Sequence, residues 1–321
     1  MQVLLPRSQR RTSEELIERL DLDVGDTRAK RSAFWIMLTL SSVIAVSGVI
    51  GDSTATVIGA MIVAPLSLPI LGVALGIATS RVALIGRSLL LVAAGVVLVI
   101  VIGYLFAQLL PNPTNVLANS QVTGRTSPTL MDLTAALATG SVGVIALIRR
   151  DVGDVLPGVA IAISLVPPLG VVGVCLGSHA PGMALGAFVL FASNMVAMIV
   201  TATVVLVATG YARAAGAGQV RHGRAYAVLA AALVLVAVPM VANSLSSLWA
   251  DRIASATASW LDGVPGAEVG QVTVHSDTAT VEVLAPADLP PISELQDRVN
   301  EIVPWNPRVV LVHTVGSRID D

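Results

Sequence analysis

The chain has 321 residues, of which 55% are hydrophobic and 12% are charged, and its formal net charge is −2. Soluble domains usually carry about 25% charged residues, so this composition argues against a soluble globular protein. The near-neutral balance, without a basic patch, argues against a nucleic-acid partner. No Lys and no Glu occurs between Ser32 and Ala250. The apolar stretches between the charge clusters reach the roughly 20 residues that a helix needs to cross a bilayer, so the sequence predicts an integral membrane protein.

The N-terminal residues 1–31 are polar and are predicted to form a cytoplasmic arm. Thr12 and Glu15 have the spacing of a capping box, which predicts a short amphipathic helix over 13–22. Its apolar stripe consists of Leu16, Ile17 and Leu20. This pattern leaves two alternatives open, because such a helix either lies on the membrane surface or packs against its own protein.

Seven apolar stretches follow as predicted membrane spans: 33–50, 54–78, 88–109, 129–148, 155–176, 183–208 and 226–247. Basic residues occur in every second connection between spans. In the other connections, Arg125 is the only basic residue. Since Lys and Arg of short loops stay on the cytoplasmic side, the N-terminus is expected inside. The predicted location is the plasma membrane, with a transmembrane domain over 32–247 and residues 248–321 outside the cell.

Spans two and five share a pattern of helix-breaking residues. Each has a proline in mid-span that is followed three residues later by glycine, as Pro69 and Gly72 and as Pro167 and Gly170. Proline in a helix interior removes a backbone hydrogen bond and clashes with the preceding turn. Matched breaks in two halves are typical of secondary transporters, whose discontinuous helices surround a site near the midplane.

The two halves are predicted at about 33–109 and 129–208, with 226–247 as an additional helix. Three spans in each half, an odd number, imply that the second half is inverted relative to the first. A Gly-Asp pair precedes each broken span, and Asp52 and Asp154 are expected to cap the N-termini of the two helices. An alternative remains for the breaks themselves, because Pro and Gly also serve close helix packing in membranes.

Three motifs at these positions resemble a family of bacterial and archaeal membrane proteins known as domain of unknown function 389. They occupy 57–72, 158–169 and 190–194, the last reading Leu-Phe-Ala-Ser-Asn. Ala64 and Leu68 depart from the family pattern, where Ser and Gly are usual, and make the first break less polar and less flexible. The resemblance implies a membrane fold and no settled activity.

Polar side chains within membrane spans are costly and often functional. The candidate substrate-binding residues lie at the breaks and in span six: Pro65, Ser67, Pro69, Gly72, Ser164, Pro167, Pro168, Gly170, Ser193 and Asn194. The serines have an alternative role, since Ser often bonds its own helix backbone. Asp132 is expected at the start of span four as a solvated residue. Because half-helix N-termini carry partial positive charge, the hypothesis is a transporter or channel for a small anion or small organic solute.

No motif for enzymatic catalysis, for a cofactor or for a metal is recognised, so an enzyme is not predicted. The alternative function is a membrane-anchored sensor or scaffold whose C-terminal domain binds a partner. The chain is poor in aromatic residues, at 3%, and rich in small ones. Such helices pack closely, which favours a homo-oligomer.

The C-terminal residues 248–321 carry eleven acids against four arginines. Residues 249–261 and 292–302 are predicted as helices, and 269–275, 278–284 and 308–314 as strands, because valines alternate along them. The order αββαβ predicts a small two-layer α+β domain beside the all-α membrane bundle. His275 and His313 end two of the strands. A metal site there is an alternative, but two histidines with no nearby cysteine are more often surface residues.

Overall fold

The computed structural model describes residues 9–109, 116–152, 164–214, 222–275, 278–286 and 289–315. Most of these residues are helical. The chain divides into two compact units, Met1–Met240 and Val241–Asp321. The helices that begin in the first unit are α1 (Ser13–Leu20), α2 (Thr27–Ile50), α3 (Thr54–Val63), α4 (Ser67–Ala78), α5 (Val82–Leu109), α6 (Ser120–Thr126), α7 (Leu130–Ile148), α8 (Val166–Gly177), α9 (Pro181–Ala208), α10 (Tyr211–Ala214) and α11 (His222–Trp260).

Five helices of the described residues are long and apolar enough to cross a membrane, namely α2, α5, α7, α9 and α11. The pair α3 and α4 passes the same test as a sixth span if its break is taken as a bend within one span. Helix α8 has 12 residues and is too short by itself. Part of the predicted span 155–176 lies outside the described residues. Helices of this length and composition indicate a multi-pass membrane protein.

Helix α11 corrects the prediction of a span over 226–247 followed by a separate helix over 249–261. The structure has one helix over His222–Trp260, with Pro239 inside it. The physical reason is the absence of a further helix breaker, because neither Gly nor Pro occurs between Pro239 and Gly263. The change from apolar to mixed composition therefore does not end the helix.

The predicted capping box begins α1. The Thr12 side chain accepts a hydrogen bond from Glu15 N, and the Glu15 side chain accepts one from Thr12 N. Leu16, Ile17 and Leu20 are buried, and α1 packs against α4. Of the two alternatives for this helix, the structure shows packing against its own protein.

Two arginines ahead of α1 contact the C-terminal ends of membrane helices. Arg11 Nη1 donates to Leu147 O at 2.8 Å and to Arg149 O at 2.6 Å, at the end of α7. Arg10 Nη1 donates to Thr209 O at 3.1 Å, at the end of α9. Cations are favourable there, because the last carbonyls of a helix lack partners and carry partial negative charge. The arm thus connects the ends of α7 and α9.

The second unit contains the end of α11, α12 (Ile292–Ile302) and a sheet of β1 (Glu268–His275), β2 (Thr278–Ala285) and β3 (Arg308–Val315). Strand β2 is central, antiparallel to β1 and parallel to β3. Its alternate residues Ala279, Val281, Val283 and Ala285 are buried in one cluster with Leu295 and Val299 of α12 and with Ile253 and Trp260 of α11. The small C-terminal sheet domain that the valine alternation predicted is therefore present.

Candidate functional site

The first helix break lies at Ala64-Pro65-Leu66, where the axes of α3 and α4 differ in direction by 49°. Helix α4 begins at Ser67, so Pro69 is its third residue. A proline in the first turn removes no hydrogen bond, because the first N–H groups of a helix have no partner within it. The helix is therefore broken at Pro65, and Pro69 stands at the start of the next helix.

The second break ends in the same way. Helix α8 begins at Val166 and has Pro167 and Pro168 as its second and third residues. Ser164 and Leu165 precede it as irregular backbone. The predicted cap Asp154 and the first half of span five lie outside the described residues, so the structure shows the second half of this span alone.

The hairpins α4–α5 and α8–α9 have the same helix lengths and the same turn geometry. Helices α8 and α9 each begin and end 99 residues after α4 and α5 (67 to 166, 78 to 177, 82 to 181 and 109 to 208). Their turns have the same bonds, since Arg81 N donates to Gly76 O at 2.8 Å and Ala180 N donates to Cys175 O at 2.8 Å. The residue before each donor, Ser80 or His179, has a φ of 56° or 57°.

The turns of these hairpins lie at opposite ends of α5. The α4–α5 turn is near the arm, where Arg87 Nη2 lies 3.6 Å from Asp21 Oδ2. The α8–α9 turn is near the other end of α5, where Gln108 Nε2 donates to Gly177 O at 2.8 Å. Helix α9 returns to the arm at Thr209. Helix α9 therefore runs antiparallel to α5.

The first break is enclosed by apolar side chains. Leu66 and Leu38 are fully buried, and a Cβ added to Gly95 would lie 2.9 Å from Leu66 Cδ1 and 3.0 Å from Leu38 Cδ2. Pro69 and Gly72 are also buried. Gly72 packs beside Ser88, whose Oγ would lie 2.6 Å from an added Cβ. Of the residues predicted at this break, Pro65 and Ser67 remain half-buried. The apolar surroundings agree with the weaker polarity expected from Ala64 and Leu68.

The second break is polar. Asn194 is 7% exposed, and its Nδ2 donates to Ser164 O at 2.8 Å. This bond satisfies a carbonyl that the break removes from regular helix, which buried backbone requires. Among the described residues, Asn194 Oδ1 receives no donor and Ser164 Oγ has no hydrogen-bond partner. The structure thus brings together two of the predicted site residues, Ser164 ahead of α8 and Asn194 on α9.

A cavity of about 270 Å³ adjoins this pair. Its walls come from α6, α7, Ser164 ahead of α8, and α9. The lining residues are Gly124, Arg125, Asp132, Ala135, Ala136, Thr139, Ser164, Leu190 and Asn194. Five of these nine residues are polar or charged, so the cavity offers several convergent polar groups, which fix and orient a ligand in small-molecule sites.

Arg125 is the functional candidate that the sequence analysis missed. The sequence predicts a loop at this position, whereas the structure places Arg125 on α6 at the cavity. Its Nη1 donates to Gln121 O at 2.8 Å and to Gln121 Oε1 at 3.0 Å. Burial lowers the pKa of this guanidinium from its ordinary value. One feature of the sequence singles out Arg125: it is the single basic residue between the predicted spans three and four.

Asp132 reaches the same cavity from the first turn of α7. Its Oδ2 accepts hydrogen bonds from Thr129 N at 2.7 Å and from Thr129 Oγ1 at 2.8 Å, which caps the helix. The prediction of a residue at the start of the span is confirmed, and the cavity is an additional finding.

Other predicted site residues serve helix packing. Ser193 Oγ donates to Leu190 O at 2.8 Å, within its own helix. Pro167, Pro168 and Gly170 are buried. Gly170 lies against α5, where a Cβ added to Gly103 would come within 2.6 Å of Gly170 O. Small residues allow such close approach of helices, so packing accounts for this group.

The assignment of Asp52 as the cap of span two is wrong. The N-cap of α3 is Ser53, whose side chain accepts a hydrogen bond from Thr56 N. Asp52 Oδ1 instead accepts from Ser120 Oγ at 2.7 Å and from Gln121 N at 3.1 Å, at the start of α6. These bonds lower the pKa of Asp52, the Ser120 hydroxyl having the larger effect. The backbone of Asp52 has a positive φ of 48°.

Metal ligands are not grouped in the described part of the chain, where no three His, Cys, Asp or Glu side chains come together. His313 Nε2 lies 3.2 Å from Ala285 O in the sheet. The side chain of His275 is outside what the structure describes.

The apolar helices and the cavity between them define a protein of the multi-pass membrane class. Residues 61–200 match the family described as Domain of unknown function (DUF389), which confirms the likeness predicted from the three motifs. An uncharacterized protein of Methanocaldococcus jannaschii is 31% identical over 175 residues, which cover 54% of this chain and 53% of that protein. The chain thus spans about half the length of this curated relative. No solved structure matches the chain.

Proposed function

We propose that this protein is a transporter or channel for a small polar solute, with its solute site beside the second helix break. The observation that carries the proposal is the polar cavity that reaches Asn194. This residue is the fourteenth of the 28 residues of α9 (181 to 194), so it lies near the middle of a helix long enough to cross the bilayer. Polar groups at that depth are costly, which favours a functional reason for them.

Seven spans arranged as an inverted 3+3 repeat plus one helix are part of this proposal. The 99-residue offset and the antiparallel course of α5 and α9 support the inversion. Under the predicted orientation, with the N-terminus in the cytoplasm, α6 lies on the outer side of the membrane. The cavity then leads from the outer side to the helix break.

The two halves differ in polarity, and this difference supports a site in the second half. Offset by 99 residues, Asn194 corresponds to Gly95, which packs against Leu66 and Leu38. A polar solute loses hydrogen bonds to water when it enters an apolar site, so the enclosed first break offers it no compensation. The second break has the Asn194 amide and the Ser164 hydroxyl, which provide both donors and acceptors.

Flux through liposomes tests the proposal. Full-length protein is reconstituted, and the rate at which small polar solutes equilibrate is followed by light scattering. At least one solute should equilibrate faster than in protein-free liposomes, and Asn194→Leu should slow it at least tenfold. Thr203→Val is the matched control, because Thr203 is a buried, polar residue of the same helix that lies outside the cavity lining. Equal rates for wild type and Asn194→Leu would refute the site and favour the sensor or scaffold alternative.

A further inference from the structure

The cavity beside the second break is lined by two opposite charges that do not pair with each other. Arg125 comes from α6 and Asp132 from α7, and the other lining side chains are uncharged. The ion pairs within the described residues all lie elsewhere. A volume of 270 Å³ corresponds to a sphere of about 8 Å in diameter, so the two groups face a common small space.

Each charge keeps bonding capacity for a ligand. Within the described residues, Arg125 donates to two neutral acceptors, both on Gln121, through Nη1. Its Nε and Nη2 have no acceptor among the described residues. Asp132 uses Oδ2 for the cap of α7, and its Oδ1 has no donor in the described part of the chain. A guanidinium binds a carboxylate through two parallel N–H donors, which makes carboxylate a good fit at Arg125.

From this arrangement we infer that the cavity binds a small zwitterion of the amino-acid class, with its carboxylate at Arg125 and its ammonium at Asp132. The inference rests on the proposed function, whose solute it specifies. A simple anion would gain from Arg125 but would face the like charge of Asp132, and a simple cation would meet the reverse. A ligand with both charges satisfies Arg125 and Asp132 together, because the charges of these two residues sum to zero and so do those of the zwitterion.

The remaining polar groups agree with such a ligand. Asn194 Oδ1 and Ser164 Oγ stand at the helix break, toward the middle of α9, whereas Arg125 and Asp132 stand near the start of α7. The volume equals roughly nine water molecules at about 30 Å³ each. This is room for a small amino acid together with some water.

Binding to the purified full-length protein tests the inference by isothermal titration. The probes are the twenty amino acids and, for each that binds, the analogue without its amino group and the analogue without its carboxyl group, such as propionate and ethylamine for alanine. At least one small amino acid should bind, and each analogue should bind at least tenfold more weakly. Failure of all twenty, or an analogue that binds as tightly as its parent, would overturn the zwitterion.

Variants locate the site. Arg125→Gln and Asp132→Asn should each weaken amino-acid binding at least tenfold. The substitution Asp132→Asn removes the charge but keeps a side-chain oxygen, which can still accept the hydrogen bonds from Thr129 that cap α7. Arg19→Gln, an exposed arginine of α1, should bind as wild type does. Unchanged binding in Arg125→Gln would overturn the assignment. Binding without flux would refute the transporter alone, whereas flux of a singly charged or uncharged solute without amino-acid binding would refute the zwitterion alone.

Discussion

Gly103 is a position where helix packing makes a sharp prediction. It lies on α5 against α8, and a Cβ there would stand 2.6 Å from Gly170 O and 3.0 Å from Gly173 Cα. Ordinary contacts of a Cβ begin near 3.4 Å, so Gly103→Ala places the methyl about 0.8 Å too close (3.4 minus 2.6). Both neighbours are backbone atoms, which cannot rotate away. The helices must separate locally.

The expected cost follows from two opposing effects. Overpacking costs about 1–3 kcal/mol, and replacing a helical Gly with Ala regains roughly 0.5–1 kcal/mol. The net loss for Gly103→Ala therefore lies between about 0 kcal/mol (1 minus 1) and about 2.5 kcal/mol (3 minus 0.5), which corresponds to a Tm lowered by up to about 10 °C. Gly86→Ala in the same helix is the matched control, because an added Cβ there meets nothing within 4 Å. It should melt at or slightly above the wild-type temperature.

The chain contains its own reporter for this measurement. Cys175 is the single cysteine, is fully buried and lies on α8. A fluorogenic maleimide added to protein in detergent reacts with this thiol as the first unit unfolds, and the temperature of reaction gives the Tm. If Gly103→Ala melts at or above Gly86→Ala, then the close approach of α5 and α8 is not as the structure shows it.

Three further predictions concern other parts of the molecule. Arg11→Met should lower the Tm reported by Cys175 by a few degrees, since a charged hydrogen-bond donor to helix carbonyls is worth about 1.5–3 kcal/mol, and the exposed Arg19→Met should not. Hydrogen bonds, the largest effect coming from Ser120, lower the pKa of Asp52 in the folded protein. The Asp52 carboxylate therefore stabilises the fold above about pH 4, and this stabilisation is lost as the pH falls through the depressed folded-state pKa. In melting curves recorded over a pH series, the Tm of Asp52→Asn should fall less on acidification than that of wild type. Val281→Ala should destabilise the second unit by about 2 kcal/mol, because Val281 is fully buried. The half-exposed Val312 is the control, and Val312→Ala should have little effect. Tryptophan fluorescence follows the unfolding, because three of the four tryptophans lie in this unit.

Local features of this fold were predictable because they depend on neighbours in sequence. The capping box at Thr12 and the alternating valines of β2 rest on contacts within a few residues or on a two-residue period, and both are present. The end of α11 was misplaced for a related reason. Composition changes near residue 248, but a helix ends where the backbone meets a breaker, and the next one is Gly263.

The candidate site was predictable in part. Asn194 and Ser164 were chosen because polar groups within a span need partners, and the structure joins them to each other. Arg125 was missed because its position at the cavity depends on how α6 packs beside α9, which no local pattern records. Asp52 was assigned to the following helix because a Gly-Asp pair is typical of caps. Its actual partners on α6 are 68 and 69 residues away in the sequence.

Access of water to Asn194 tests the central claim most directly. In a Cys175→Ala background, Asn194→Cys and Ser193→Cys are treated with a small, charged, membrane-impermeant thiol reagent added to the outer side of right-side-out vesicles. Asn194 lines the cavity, whereas the neighbouring Ser193 is fully buried and lies outside the lining. The thiol at 194 should react at least tenfold faster than the thiol at 193. Equal rates, or protection at both positions, would contradict a polar cavity that leads to the second helix break.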